Sequence, residues 1–545
     1  MTRRILLVGA SGAFGRKLAG LLARWDEVDL VLAARRRGPL DDLADALRRS
    51  GAKAGIEVAT FARDRPDPLP GLRPWAVVDA AGPFQGADLT LARAAIAAGA
   101  HYVDLADARD FVAAFPQLDA EARARGVLAI TGASSTPALS NAALDAITKG
   151  WLRIDRATVA ISPGSRAPWG RSVVRAILSY VGRPVRVWRE GAWGEAPGWS
   201  GLRRLDFPGL GHRWAALCET PDLDVLAARA TQSGEFLAGL ELATLHLGLW
   251  LLSWPVRLGL VSSLSPLSQP LGALSGLFGH LGSDRGGMVV MAQGQGPAGE
   301  PLHARWGLWA EANAGPNVPV AAAAATLRKL LSDGFAERGA RVCLGLVTVE
   351  AILAELSGLP IHTRRDEAAP ASPVLMARVV GRAVSDLPAS VVAIHGSSAP
   401  ATFHGAGRAK GSRSLPVRAM RAILRVPQPG TYPRLTVIIA PDRAGETWTR
   451  SFGAQTFTSR LVSLAAPGRF QERFGPLRFE FSADLEPTGF RWRFVRWGLG
   501  RLPLPGFLAP RIRAASFEKN GVYRFRAMAA HPWFGLLFAY AGWLQ

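Results

Sequence analysis

Short apolar runs alternate with amphipathic stretches through the first quarter of the chain. Ile5–Val8, Val28–Ala34, Ile56–Phe61, Ala76–Asp79, His101–Leu105 and Val127–Ile130 read as strands, and Gly15–Arg24, Asp88–Ala98 and Asp110–Arg125 read as helices. This alternation predicts an α/β unit built on a doubly wound parallel sheet. Beyond residue 150 the rhythm changes. Strands near Arg156–Ile161 and Gly287–Gln293 flank Phe236–Leu281, which is dense in Leu, Trp, Ser and Pro, so an α+β substrate or dimerisation domain is expected. Its uncharged core, Leu242–Pro255, is about 14 residues long, short of the about 20 a membrane-spanning helix needs. Three readings stay open for it: a buried helix pair, a lid over a greasy substrate, or an interfacial segment lying on a membrane.

Gly315-Pro-Asn-Val-Pro319 reads as a turn feeding an Ala-rich helix over Val320–Leu331, and Thr363–Pro373, charged and proline-rich, suits a linker. After it, Leu435–Ala440, Glu446–Phe452, Phe457–Val462, Leu477–Leu485, Gly489–Leu499 and Gly521–Ala527 recur as β-like runs between turn residues. They predict a separate, mainly β domain, an antiparallel sheet or partial barrel. The expected organisation is residues 1–135, residues 136–370 with the apolar segment 236–281, and residues 374–545.

Length agrees, since 545 residues exceed one hydrophobic core, and 49% hydrophobic with 20% charged residues marks a folded globular chain. Met1 to Arg4 precede an apolar run that stops at Gly9, which makes a buried strand and not a signal peptide. Cys218 and Cys343 have no CxxC or His cluster near them, so neither a disulfide framework nor a metal site is expected, and a reducing cytoplasm fits. The net charge of +21 lies mostly in residues 374–545, which carry +16 of it. Such a domain can meet anionic membrane or acidic substrates, and arginine usage from genome composition explains it equally well. No nucleic-acid motif accompanies the charge.

The chemistry begins at the first turn, Gly9-Ala10-Ser11-Gly12-Ala13-Phe14-Gly15, which follows a strand and opens a helix. Glycines three apart let the chain turn tightly, let backbone approach a pyrophosphate and let the helix pack on the sheet, while the helix N-terminus offers N–H donors. This is a Rossmann dinucleotide site. After the second strand, where NAD-preferring domains place an acid to hold the ribose 2′-hydroxyl, the chain has Arg35 and Arg36. Arginine pairs with a 2′-phosphate, so NADP is the expected cofactor. The Ala81-Gly82-Pro83-Phe84 loop after the fourth strand should pass close to the ribose and nicotinamide.

Taken together, the glycine turn, the arginines, the Ala-Ala-Gly-Pro-Phe84 loop, His101-Tyr-Val-Asp-Leu105 and Gly132-Ala-Ser-Ser-Thr-Pro-Ala-Leu-Ser-Asn141 resemble the saccharopine dehydrogenase-like NADP-binding oxidoreductases. A weaker echo continues in Ser283–Met288, Gly315–Pro319 and Gly339–Cys343. The C-terminal third resembles DUF4166, an uncharacterised domain found behind such reductases, in His404–Arg408, Trp448–Gly453, Glu472–Pro476, Leu502–Pro505 and His531-Pro532. The first resemblance implies NADP(H) binding, hydride transfer and, by analogy, packing of the Val320–Leu331 helix near the nucleotide domain. It names no substrate. The Tyr-x-x-x-Lys pair of short-chain dehydrogenases is absent, because no tyrosine has Lys four residues later.

Catalytic residues are not identified by the sequence. His101, Asp104, His212, His246 and Asp284 are candidates that read equally well as structural groups, and Arg408, Arg450, Glu472 and His531 are candidates for a polar site binding an anionic group in the last domain, or else surface arginines with one structural ion pair. Two functions follow: an NADP(H)-dependent oxidoreductase acting on a small molecule, with lipid-like carbonyl or enoyl substrates suggested by residues 236–281, or a non-catalytic NADP-binding sensor or scaffold whose basic domain meets a membrane surface or protein. A cytoplasmic location, peripheral contact with the inner face of a membrane and homo-oligomerisation are compatible with either.

Overall fold

A computed structural model describes residues 2–166, 171–297, 301–370, 374–380, 386–396, 400–424, 426–442, 445–453, 455–464, 468–500 and 502–545. The chain divides into two compact units, Met1–Ala369 and Pro370–Gln545.

The first unit opens with β1 (Arg3–Val8), β2 (Val28–Ala34), β3 (Gly55–Thr60), β4 (Ala76–Asp79), β5 (His101–Asp104) and β6 (Leu128–Thr131). They pair in parallel in the order β6-β5-β4-β1-β2-β3, with Leu7 opposite Leu32 on one side and Val78 on the other. Every residue from Ile5 to Val8 and Ala76 to Asp79 is buried, as expected of strands covered on both faces. The expected helix over Asp110–Arg125 is two helices, Arg109–Ala114 and Asp119–Ala124, joined by a 3-10 turn. Pro116 in that turn lacks the N–H an α-helix would need there.

Residues after 135 do not leave this sheet for good. Gly339–Val342 returns as a seventh strand, parallel to β6, with Gly339 opposite Leu128. The Ala-rich helix, Val318–Leu331, packs on helix Ala13–Leu22, and its Arg328 lies 4.1 Å over the Trp25 ring. A second, mixed sheet is formed by the middle of the chain, with Arg153–Ser162 parallel to Ala230–Ala238 and antiparallel to Gly286–Gln295. The expected linker is shorter than Thr363–Pro373, because Ile361–Pro370 is the last strand of this sheet; residues 371–373 lie outside the described residues.

The apolar segment forms helices Ala243–Arg257 and Ser268–Phe278. They are not a buried pair. Only His246 and Ser253 of the first are buried and nothing of the second, while Leu260 is 73% and Leu277 67% exposed. Among the described residues, no helix is long and apolar enough to cross a membrane.

The second unit is a closed up-and-down β-barrel of ten antiparallel strands. Around the ring run Ala401–Lys410, Gly430–Asp442, Gly445–Phe452, Gln455–Ser463, Arg469–Phe474, Leu477–Glu486, Gly489–Leu499, Arg511–Lys519, Val522–His531 and Gly535–Leu544, and the last pairs with the first. Alternation sorts the side chains: Glu446, Trp448, Arg450 and Phe452 point inward and are buried, whereas Thr447, Thr449 and Ser451 face outward. Much of the domain's positive charge sits outside, in exposed arginines such as Arg491, Arg493, Arg511, Arg513 and Arg526, while Arg421 and Arg450 are buried.

Candidate functional site

In a sheet of this order the succession of strands reverses at β1, and the crevice beyond the carboxyl ends of β1 and β4 is where a dinucleotide can lie. Gly9 leaves β1 at φ +80°, and a Cβ there would meet the Ala81 backbone at 2.7 Å. A Cβ on Gly15 would stand 2.1 Å from the Gly9 carbonyl oxygen, so only glycine lets helix Ala13–Leu22 start this close to β1. Gly12 caps that helix, donates its N–H to Gly9 O at 2.9 Å and is exposed, and the first turn contains no acid. Ser11, Ala13 and Phe14 complete the rim, leaving helix-start amides with no intrahelical acceptor. The cradle that side chains would fill, and its unopposed N–H groups, fit a pyrophosphate.

Arg35 and Arg36 stand exposed just past β2, while Arg37 pairs with Asp41 at 3.4 Å. Beyond β4, Ala81, Gly82 and Pro83 are accessible and Phe84 is buried, edge-on to Phe111. The loop is anchored from below: Asp79, fully buried, accepts from Ala81 N at 2.9 Å, Arg63 Nε at 2.6 Å and the Tyr102 hydroxyl at 3.2 Å. Arg63, which no sequence motif singles out, also covers the Phe84 ring at 4.8 Å.

The acid–base candidates separate. His101 begins β5, at the end of the sheet opposite the crevice; it lies edge-on to Trp75, its Nδ1 accepts from Leu128 N, and burial lowers it to about 4. His246 is buried beside Trp199 and lowered to about 4 by desolvation, and His212 is exposed on a strand opposite Asp206. None of the three belongs to the crevice. Asp104 does end at it, sealed from solvent: one carboxyl oxygen accepts from Ala106 N, Thr131 Oγ1 and Gly132 N, and burial raises it to about 7. Asp284 is half-buried ahead of Gly286, at the start of a strand of the second sheet.

The groups that sequence reasoning missed lie where the second sheet meets the crevice. Asp107 is exposed, accepts from Gln85 Nε2 at 3.3 Å, and is raised by desolvation. The Tyr180 hydroxyl and the Cys218 sulfur are 2.8 Å apart. Burial, then their mutual contact and the nearby Asp107 charge, act on both; the tyrosine rises well above 10 and the thiol to about 12. Asp222, buried, accepts from Ser140 Oγ at 2.5 Å and rises to about 7, while Arg109 grips Asp224 at 2.7 Å. These contacts join residues 85–224 with no local motif, so only Ser140 and Asn141, inside the Gly132–Asn141 segment, could have been flagged from the sequence.

In the barrel, three of the four candidates converge on one interior cavity: Arg450, Glu472 and His531 line it, whereas Arg408 is exposed. Among the described residues there is no cluster of three or more His, Cys, Asp or Glu side chains suited to a metal, and both cysteines are buried and free.

Residues 5–130 match the family described as the saccharopine dehydrogenase NADP binding domain, and residues 387–544 match the domain of unknown function DUF4166. The amino-terminal sheet is thus an NADP-binding domain of the saccharopine dehydrogenase type, and the barrel is a DUF4166 domain. No curated protein matches the sequence. Among solved structures, the chain is similar to apo saccharopine dehydrogenase (L-Glu forming) from Saccharomyces cerevisiae, at 13% identity and TM-score 0.47, over 67% of this chain and 100% of that one. It is similar also to a dehydrogenase from Chromobacterium violaceum at 13% identity and TM-score 0.28, over 57% and 76%, and to a myo-inositol dehydrogenase from Corynebacterium glutamicum at 14% and 0.25, over 44% and 68%.

Proposed function

We propose that the chain is an NADP(H)-dependent oxidoreductase acting on a hydrophobic carbonyl or enoyl compound in the crevice beyond β1 and β4. The observation that carries this reading is the Asp107 carboxyl, held by Gln85 immediately after the Ala81–Phe84 loop and raised by desolvation. A non-catalytic sensor has no use for such a group beside its nucleotide.

The amides of Ser11, Ala13 and Phe14 would hold the pyrophosphate, Arg35 or Arg36 the 2′-phosphate, and Ala81 to Phe84 the ribose and nicotinamide side. NADPH, when bound, supplies a hydride to an electrophilic carbon. The protein's own part is the proton. Asp107, raised by its surroundings, keeps a proton closer to working pH than an ordinary carboxyl and delivers it to the atom that gains negative charge. Tyr180 and Cys218 remain neutral, so they stand near Asp107 as hydrogen-bonding groups without adding charge. Asp104 and Asp222 are positioning residues, since the first acts through the Gly132 loop and the second through the start of helix Ser140–Ile147.

Titration with NADPH and NADH tests the cofactor claim, and equal, millimolar-weak binding of both defeats it. Asp107→Asn tests the chemistry: NADPH-dependent reduction of lipophilic ketones and enones should fall about 10²- to 10⁴-fold with NADPH affinity retained.

The exposed helix pair supports peripheral membrane contact as part of this reading. Leu251, Trp254, Leu258 and Leu277 present an apolar face, and Arg257 lies over the Trp254 ring at 5.1 Å, an arrangement suited to the headgroup boundary. Flotation with phosphatidylglycerol/phosphatidylcholine vesicles should recover the full chain, and Leu251→Asp with Leu258→Asp should weaken it about 100-fold, from two leucine side chains at about 1.5 kcal/mol each. Recovery unchanged by that pair removes the membrane element and leaves the reductase untouched.

A further inference from the structure

An eight-stranded barrel is just wide enough for its own side chains or one small ligand, and this barrel has ten strands in its ring. Its inward side chains cannot meet across the middle, and a cavity of about 590 Å³ remains, within the range of small-molecule sites. Aromatic and aliphatic groups line it, among them Trp448, Phe481, Trp492, Phe525 and Phe538. One end is stopped by helix Ala389–His395, whose buried His395 meets Trp448, Phe490 and Tyr523. At the other end helix Leu415–Leu424 packs Val417 on Ala529 and Leu537, and Phe534, half-exposed, lines the cavity and marks its mouth.

Of the three lining residues with a full charge, Arg526 is exposed to solvent, and one buried cation and one buried anion, Arg450 and Glu472, project into the apolar space. Arg450 donates to Ser459 Oγ at 2.8 Å, Ser459 donates to Glu472 Oε1 at 2.6 Å, and the direct Arg450–Glu472 contact is long, at 3.5 Å. Every bond described for the Glu472 carboxylate ends on Oε1. A pair so loosely joined repays little of its desolvation, and a barrel filled with apolar side chains would be the more stable solution. Guanidinium donors are left over, since the bonds described engage only two of its nitrogens. The Tyr540 ring is fixed among Phe452, Phe457, Phe525 and Phe538, and its phenol lies within electrostatic reach of Arg450 and Glu472.

We infer that the barrel is a binding site for an uncharged apolar small molecule with one oxygen-bearing end, a ketone or an alcohol, which enters beside Phe534 and places its oxygen at Arg450 and Tyr540. The apolar walls take the hydrocarbon. The spare N–H and phenol donors require an acceptor, and the two buried charges already cancel, so a ligand carrying a charge would leave one buried without a partner.

The test uses the full chain and the uncharged fluorophore N-phenyl-1-naphthylamine. Its fluorescence should saturate at one site per chain in the barrel, and 1-dodecanol and 2-dodecanone should displace it at least tenfold more effectively than dodecanoate. Ala527→Trp, which puts a ring into the cavity beside Tyr540, should abolish this binding while NADPH binding at the other unit is unchanged. Tyr540→Phe keeps the ring; it should leave the fluorophore alone and weaken dodecanol about 5-fold, the effect of one hydrogen bond. Full fluorophore binding in a folded Ala527→Trp protein, displacement by dodecanoate equal to dodecanol, or dodecanol binding unaffected in Tyr540→Phe each overturn the inference. Should Ala527→Trp fail to fold, the displacement series and Tyr540→Phe decide it.

Discussion

Three glycines of one helix should respond to alanine with different signs. In helix Ala13–Leu22 a Cβ on Gly20 meets nothing within 4 Å, on Gly12 it meets the Gly9 carbonyl oxygen at 3.1 Å, and on Gly15 it meets that oxygen at 2.1 Å and Ala10 Cα at 2.8 Å. Gly20→Ala removes only the entropy penalty of glycine inside a helix and should stabilise the first unit by about 0.5–1 kcal/mol. Gly15→Ala receives the same gain but drives a methyl into two backbone groups that cannot swing aside, and overpacking of this kind costs about 1–3 kcal/mol, so the net is a loss. Because the helix must retreat from β1 to relieve the contact, the amides of the cradle move too, and NADPH affinity should fall at least tenfold. Gly12→Ala, with less overlap, should hardly change stability yet obstruct the exposed rim of the cradle. Hydrogen exchange of β1 and helix amides, followed by mass spectrometry, separates this region from the barrel, and nicotinamide fluorescence reports the cofactor. If Gly15→Ala stabilises the helix as Gly20→Ala does, or binds NADPH like the parent, the close approach of helix and strand is not what the cradle depends on.

Replacing Arg35 and Arg36 together with serine should weaken NADPH about 10- to 100-fold and leave NADH unchanged, measured by titration, because only the 2′-phosphate needs them. Asp104 is raised in the folded protein from 3.8 to about 7, so its favourable contribution is complete below 3.8 and lost as pH rises through about 7. Across that window stability should decline by up to about 1.4 kcal/mol per pH unit, and Asp104→Asn should flatten the slope in urea titrations at stepped pH. Arg109→Met leaves Asp224 with Arg186 alone, at 3.2 Å, and the first unit should lose about 2 kcal/mol in urea unfolding, a figure reduced for that remaining pair and for the one-third exposure of Asp224.

The nucleotide unit was largely legible because its information is local: Ile5–Val8, the glycine spacing and the arginines after Ala34 each announce themselves within a few residues. The six β runs expected in the last domain fall in strands apart from the turn residue Gly521, but the ring could not be read, since closure depends on Ala401–Lys410 meeting Gly535–Leu544 across the length of the domain. Gly405 and Gly407 weaken the strand signal of the first, though Gly405 lies so close to the Trp543 carbonyl that no side chain fits. The apolar helices were open to three readings because hydrophobicity alone does not say which surface it meets. Asp107 escaped notice for the opposite reason: an aspartate on a loop looks ordinary until Gln85, Tyr180 and Cys218 arrive from elsewhere.

The seventh strand of the first sheet, Gly339–Val342, imposes an order of events during synthesis. Its partner β6 ends at Thr131, and the residues between must leave the ribosome before the two can pair. At about 5–20 residues per second that interval lasts roughly 10–40 s, during which β6 is an open edge and helix Ala13–Leu22 lacks the cover of Val318–Leu331. The nucleotide site therefore matures late, although its residues are made first. A fragment cut after residue 135 should aggregate where one extending to residue 369 stays in solution, and chaperone dependence should centre on this waiting period.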